Sequence, residues 1–172
     1  SVSGPTAAFV VILVPVTAIV EGSEAGPLVD FVNFMADGIK DQYPEVFIDT
    51  LAYQYTQQAP KSLRCGGNVI VRLCDTQSDM LKPITAPENK AFHDHLLTWA
   101  GVSRNLRIWD YAVTYGSPNG MPLPTAHTYG PDYRFYAAHN VEGVFTELEY
   151  PLIADLRDFK VWMMMKTLEN AT

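Results

Sequence analysis

Short, nearly continuous apolar runs alternate along this chain with segments of helical periodicity, and that alternation limits the possible fold more than any other feature. Asn68 to Cys74 carries Val69-Ile70-Val71 without a polar break, which suits a strand covered on both faces, as strands of parallel sheets are. Further strands are predicted over Val46 to Tyr55, Leu106 to Tyr111 and Val141 to Leu148. Between them, Pro27 precedes Leu28, Phe31, Val32, Met35 and Ile39, whose spacing of three and four predicts one buried helix face ending near Tyr43-Pro44. A second helix is expected from Glu88 with Phe92, Leu96, Leu97 and Trp99, a third around Tyr133 to Ala138, and a last from Ile153 to about Leu168. The predicted class is α/β, a mainly parallel sheet with outer helices. One link departs from the pattern: Tyr55 to Asn68 leaves room for irregular chain but no ordinary crossover helix.

The 172 residues form a single domain in this reading, yet fall short of the ~250 typical of an eight-fold barrel. The expectation is therefore half of a TIM-type (β/α)8 barrel within a larger protein. The alternative is a smaller doubly wound domain that binds a ligand where its strand order reverses. Ser1-Val2-Ser3 running into apolar sequence reads as the middle of a longer chain. Ala7 to Val20, rich in Val10, Val11, Ile12, Val14 and Val16, is read as another buried strand. It is shorter than the ~20 residues of a membrane span, and Pro15 interrupts it. No basic residue precedes it, which disfavours a signal peptide.

Asp and Glu outnumber Lys and Arg by 19 to 12, and the basic residues form no stripe that could follow a phosphate backbone, so nucleic acid is not an expected partner. Cys65 and Cys74 lack metal-ligand spacing and are read as buried thiols. His93 and His95, two apart on a helix, diverge by roughly 200° and are read as packing or surface residues; His127 and His139 are read the same way. No Gly-rich phosphate loop or Ser/His/Asp set is present, so neither cofactor nor metal is expected.

Chemistry collects instead where the predicted strands end. Tyr53-Gln54-Tyr55, Arg72 to Asp75, Trp109-Asp110-Tyr111 and Thr146 to Tyr150 close four strands, and in parallel barrels that rim binds substrate. Aromatic faces stack on sugar rings while carboxylates, amides and Arg bond hydroxyls. Tyr53, Gln54, Tyr55, Arg72, Asp75, Trp109, Tyr111 and Glu149 are the candidate substrate contacts. Glycosidic cleavage needs two carboxylates flanking the bond; Asp110 and Glu147, on consecutive strands, are the candidate catalytic pair, with Asp75 in reserve. Asp110 alternates with Trp109 and Tyr111, so all three reach one pocket only if the strand has ended. Arg72 and Asp75 are equally readable as a structural ion pair.

The same residues carry a family resemblance. The matching stretches are Glu21-Gly22-Ser23 with Ala25-Gly26-Pro27-Leu28, Tyr43-Pro44, Ile48 through Thr56, Asn68 to Asp75, Ile108-Trp109-Asp110-Tyr111, Gly143-Val144-Phe145 and Ala154-Asp155-Leu156-Arg157. In this order they resemble the domain of unknown function 4838 of large bacterial proteins, grouped with glycoside-hydrolase barrels. The resemblance implies the C-terminal half of a barrel, a glycan or other small polyol as ligand, the rest of the barrel in cis as partner, and a periplasmic or secreted setting. It implies either a glycoside hydrolase or a non-catalytic carbohydrate-binding or scaffold domain. The chain departs from the family twice: Gly4 to Val20 is apolar where relatives carry a polar, cysteine-containing loop, and Thr146 separates Gly143-Val144-Phe145 from the acidic residue that follows directly in relatives.

Overall fold

The computed structural model describes residues 16–115, 121–149 and 154–171. Its centre is a sheet of four strands, β1 (Ile48–Ala52), β2 (Val69–Cys74), β3 (Asn105–Tyr111) and β4 (Val141–Glu147), in the sequential order β1-β2-β3-β4. All three pairings are parallel, with Ala52 level with Leu73, Cys74 with Trp109, and Tyr111 with Glu147. The order never reverses, so the described sheet has no switch point of the doubly wound kind. Beside the helical residues 16–21, four helices accompany it: α1 (Ala25–Ile39), α2 (Lys90–Val102), α3 (Tyr129–Ala137) and α4 (Arg157–Leu168). As the spacing predicts, β1 and β2 are joined by chain that forms only a single 3-10 turn, Gln54–Thr56.

Burial follows alternation along the strands. Val69, Val71 and Leu73 of β2, with Leu106 and Ile108 of β3, form one core cluster with Val29 and Val32 of α1, Phe92, Leu96 and Trp99 of α2, Tyr129, Tyr133 and Tyr136 of α3, and Met164 of α4. All four helices therefore cover one face of the sheet. The other face presents Asp49, Leu51, Arg72, Arg107, Trp109, Tyr111, Phe145 and Glu147, and here Leu51 and Phe145 are exposed. Trp99 anchors the core: it is fully buried, and its Nε1 donates to the Gln57 carbonyl at 2.7 Å.

Several expected boundaries and faces are corrected. β1 stops at Ala52 because Gln54 takes φ +50°, which ends extended chain before Tyr55. The buried face of α1 is Ala25, Gly26, Val29, Val32 and Ala36, whereas Phe31 and Met35 point to solvent. The small residues win that face because the chain approaches too closely for larger ones: a Cβ on Gly26 would lie 2.8 Å from the Glu21 Cβ. Residues 16–21 are helical with Val16, Ile19 and Val20 exposed, so that part of the predicted strand Ala7 to Val20 is no strand; the part before residue 16 lies outside the described residues. α3 starts at Tyr129, earlier than expected. α4 starts only at Arg157, after Leu156 in a left-handed conformation at φ +49°, while Ile153 lies outside the described residues. Among the described residues no helix is long and apolar enough to cross a membrane.

Candidate active-site cleft

Buried polar side chains fix the loops that leave the C-terminal strand ends. Gln57, just past the 3-10 turn, donates from Nε2 to the Cys74 carbonyl at 2.6 Å and to Thr76 Oγ1 at 3.0 Å, which locks the end of β1 to the end of β2. Asn89 is buried and holds the loop before α2: its Oδ1 accepts from Asp79 N at 2.8 Å, and its Nδ2 donates to the carbonyls of Asp79, Lys82 and Pro83. Beyond β3, the buried Lys160 donates to the Ala112 carbonyl at 3.0 Å and to Asp155 Oδ1 at 2.6 Å. Asp155 Oδ1 also accepts from Leu123 N at 3.0 Å. Each bond satisfies a polar group that would otherwise be costly at this depth.

A cleft of about 350 Å³ opens at this rim, lined by Tyr53, Asp75, Thr76, Met80, Tyr111, Tyr115 and Glu147. Glu147 closes β4 beside Tyr111 of β3. Its Oε1 accepts from Trp109 Nε1 at 2.9 Å and its Oε2 accepts from the Tyr115 hydroxyl. Trp109 is braced by Phe145, ring centres 4.4 Å apart, and Tyr115 meets Tyr111 edge to face at 5.4 Å. Among the described lining residues, then, one carboxylate is held in fixed orientation between aromatic donors.

Behind the sheet lies a second cavity, more enclosed than the front cleft and about 20 Å³, room for roughly one water. Asp75, Asp110 and Asp132 line it with Asn89, Thr125 and Tyr136. Burial is the main cause that raises all three carboxyls: Asp110 to about 7, helped by the nearby Asp75, Asp132 to about 6, and Asp75 above its ordinary value. Backbone amides offset part of this, Tyr111 N donating to Asp110 Oδ1 at 2.7 Å and Ile84 N to Asp132 Oδ1 at 2.7 Å. Asp75, 4% exposed, borders both cavities; its Oδ1 accepts from Ser78 N at 3.0 Å and Gln77 N at 3.3 Å.

The structure brings some of the expected contacts together and separates others. Tyr53, Asp75, Tyr111 and Glu147 share the front cleft, with Trp109 supporting Glu147. Asp110 does not join them. It sits level with Thr146, one position before the Tyr111 and Glu147 pair, and the strand continues through Tyr111, so alternation turns its carboxyl to the helix side. Of the expected carboxylates, Asp75 and Glu147 line the front cleft, and Asp110 lines the cavity on the helix side. Arg72 lies two residues before the end of β2, and its Nε donates to both oxygens of Asp49, at 2.8 and 3.0 Å; the anticipated ion pair with Asp75 is instead one with Asp49. Gln54 turns aside to donate to the Tyr53 hydroxyl at 3.1 Å, Tyr55 is 77% exposed and does not line the cleft, and Glu149 pairs with Arg157 at 2.8 Å. Tyr115, Met80, Asn89 and Asp132 carry no sequence signal for these places, since loops and the early start of α3 put them there.

Cys65 and Cys74 are free thiols, both raised to about 11 by burial, although Cys65 is only half-buried. His93 and His139 pack against Phe135, and His127 bonds the Pro124 and Leu81 carbonyls. Among the described residues no cluster of three or more His, Cys, Asp or Glu is arranged to hold a metal ion.

The family model of a domain of unknown function (DUF4838) matches residues 17–172. No curated protein and no solved structure matches the chain.

Proposed function

We propose, for a chain that belongs to the DUF4838 family, that the front cleft is the glycan-binding end of a glycosidase-like barrel of which these four strands form one part. The observation that carries the reading is Glu147, held at the rim by Trp109 and Tyr115 among the rings of Tyr53 and Tyr111. Sugar rings present apolar faces for such rings and hydroxyls for such a carboxylate. Sequential strand order, helices on one face and an open opposite face support a barrel in which further strands continue from β1 and β4.

In this reading Asp75 and Glu147 divide the work of glycosidic cleavage. Burial holds the Asp75 carboxyl protonated to higher pH, as a general acid requires, while Glu147 serves as base or nucleophile. Their strands are separated by β3, which sets their Cα atoms about 10 Å apart and leaves space for a sugar linkage between the side chains. A second reading, non-catalytic glycan binding on a scaffold, draws support from a specific observation: both Glu147 oxygens already accept protein hydrogen bonds. The test is to present oligosaccharides and aryl glycosides to the intact protein and to Glu147→Gln. Turnover that Glu147→Gln abolishes supports the hydrolase; binding without turnover supports the scaffold; neither binding nor turnover refutes both.

A further inference from the structure

We infer that the cavity behind the sheet is a binding site for one water, which joins Asp75, Asp110 and Asp132 into a single proton-sharing set and so ties a carboxylate of the front cleft to acids on the helix side. The site is independent of what the cleft binds. Its volume, about 20 Å³, admits a single water. A buried water takes about two to four polar partners, and hydroxyls in the cavity wall are otherwise unpaired. Ser78 Oγ is buried and forms no hydrogen bond, although it lies close enough to the Asp75 carboxyl to lower it. Tyr136 is 4% exposed and lines the cavity, and its hydroxyl takes part in no hydrogen bond among the described residues. Unpaired polar groups are costly at this depth, and one water between them relieves both.

Acids reach this water from separate elements: Asp75 from the loop after β2, Asp110 from β3 and Asp132 from α3. All act on one hydroxyl. Tyr136 is raised well above its ordinary value by burial first and then by Asp110, Asp132 and Asp75, so it stays a neutral donor. Asp110 and Asp132 are likewise raised by burial first, with the Asp75 charge adding to it. Lys82 enters from the loop before α2 with its Nζ 2.5 Å from Glu88, Tyr129 bonds Thr125 Oγ1 at 2.6 Å, and His127 acts on Asp132 from the loop before α3. On its other side Asp75 borders the cleft with Tyr53, Tyr111, Tyr115 and Glu147. Asp75, which accepts from Ser78 N and Gln77 N at 3.0 and 3.3 Å, gives up its proton first. Its charge then strengthens the hold of Asp110 and Asp132 on theirs, and by reciprocity their ionisation strengthens the hold of Asp75 on its own.

The experiment is a pH titration of the intact protein by NMR, with the aspartate carboxyl carbons isotopically labelled. Asp75→Asn keeps the oxygen that accepts from Ser78 N and Gln77 N and removes the charge. It is expected to lower the midpoints of Asp110 and Asp132 by about one pH unit, and Asp132→Asn to lower that of Asp110 in the same direction. The water is read separately, as a long-lived nuclear Overhauser contact between solvent and the ring at position 136. That contact should appear in the intact protein and persist in Tyr136→Phe, where no exchanging hydroxyl is left to mimic it. Midpoints of Asp110 and Asp132 that stay unchanged in Asp75→Asn overturn the shared set. Should Asp75→Asn not fold, an Asp110 midpoint unmoved by Asp132→Asn overturns it equally. A solvent contact missing from the intact protein, or lost in Tyr136→Phe, overturns the bound water. These measurements use no sugar, so the glycan reading stands or falls separately.

Discussion

Replacing Asp110 with Asn should stabilise the protein at pH 8 and do much less at pH 5. Burial behind the sheet raises the Asp110 carboxyl from its ordinary 3.8 to about 7. Below pH 3.8 the carboxyl is protonated in both folded and unfolded chains, so no penalty exists. As pH rises past that value the unfolded chain releases its proton while the folded chain keeps it, and stability falls until the folded carboxyl ionises near 7. A tenfold change in proton affinity is worth about 1.4 kcal/mol, so the full penalty is about 4 kcal/mol; partial exposure of the residue discounts this to about 2. Asn keeps the shape and the oxygen that accepts from Tyr111 N, and carries no charge at any pH. Urea unfolding followed by circular dichroism should show the advantage of Asp110→Asn at pH 8 exceeding that at pH 5 by about 1 to 3 kcal/mol. Asp132, raised to about 6, keeps part of the pH slope in the variant. An equal effect at both pH values, or a variant less stable at pH 8, would refute the buried, charge-averse placement of Asp110.

Trp99→Ala removes a fully buried ring and the 2.7 Å bond to the Gln57 carbonyl, and should cost about 3 to 5 kcal/mol in denaturant unfolding. Lys160→Met leaves the Asp155 carboxylate without its cation, and the expected loss is about 3 kcal/mol, with faster proteolysis of the loop containing Leu123. Arg72→Ala should change stability by no more than about 1 kcal/mol, because the Arg72 and Asp49 side chains are partly exposed. It should also leave any glycan affinity unchanged, which titration checks.

The strands are legible from their apolar residues: Val69-Ile70-Val71 is an unbroken apolar run buried throughout, and Leu106 and Ile108 alternate with Arg107 so that the two apolar side chains face the helices. The face of α1 was misread because periodicity weights large residues. Packing against the sheet and residues 16–21 selected Ala25, Gly26 and Ala36 by size and left Phe31 and Met35 in solvent. At the site, alternation already set Asp110 against Trp109 and Tyr111; what the pattern did not determine was whether the strand had ended, and the ladder running on to Tyr111 and Glu147 decides it. Tyr115 and Asp132 reach their positions through loop closure across distant segments, for which local spacing holds no information.

The front cleft, with Glu147 at its rim, is most directly tested by titrating oligosaccharides into the intact protein and into two variants, one at a residue that lines the cleft and one at a residue that does not. Binding should be lost or weakened several-fold in Tyr111→Ala, since stacking on a ring contributes about 0.5 to 1.5 kcal/mol beyond its area, and should be unchanged in Asp110→Asn. Loss of binding in Asp110→Asn with retention in Tyr111→Ala would contradict the assignment of the glycan to the open face.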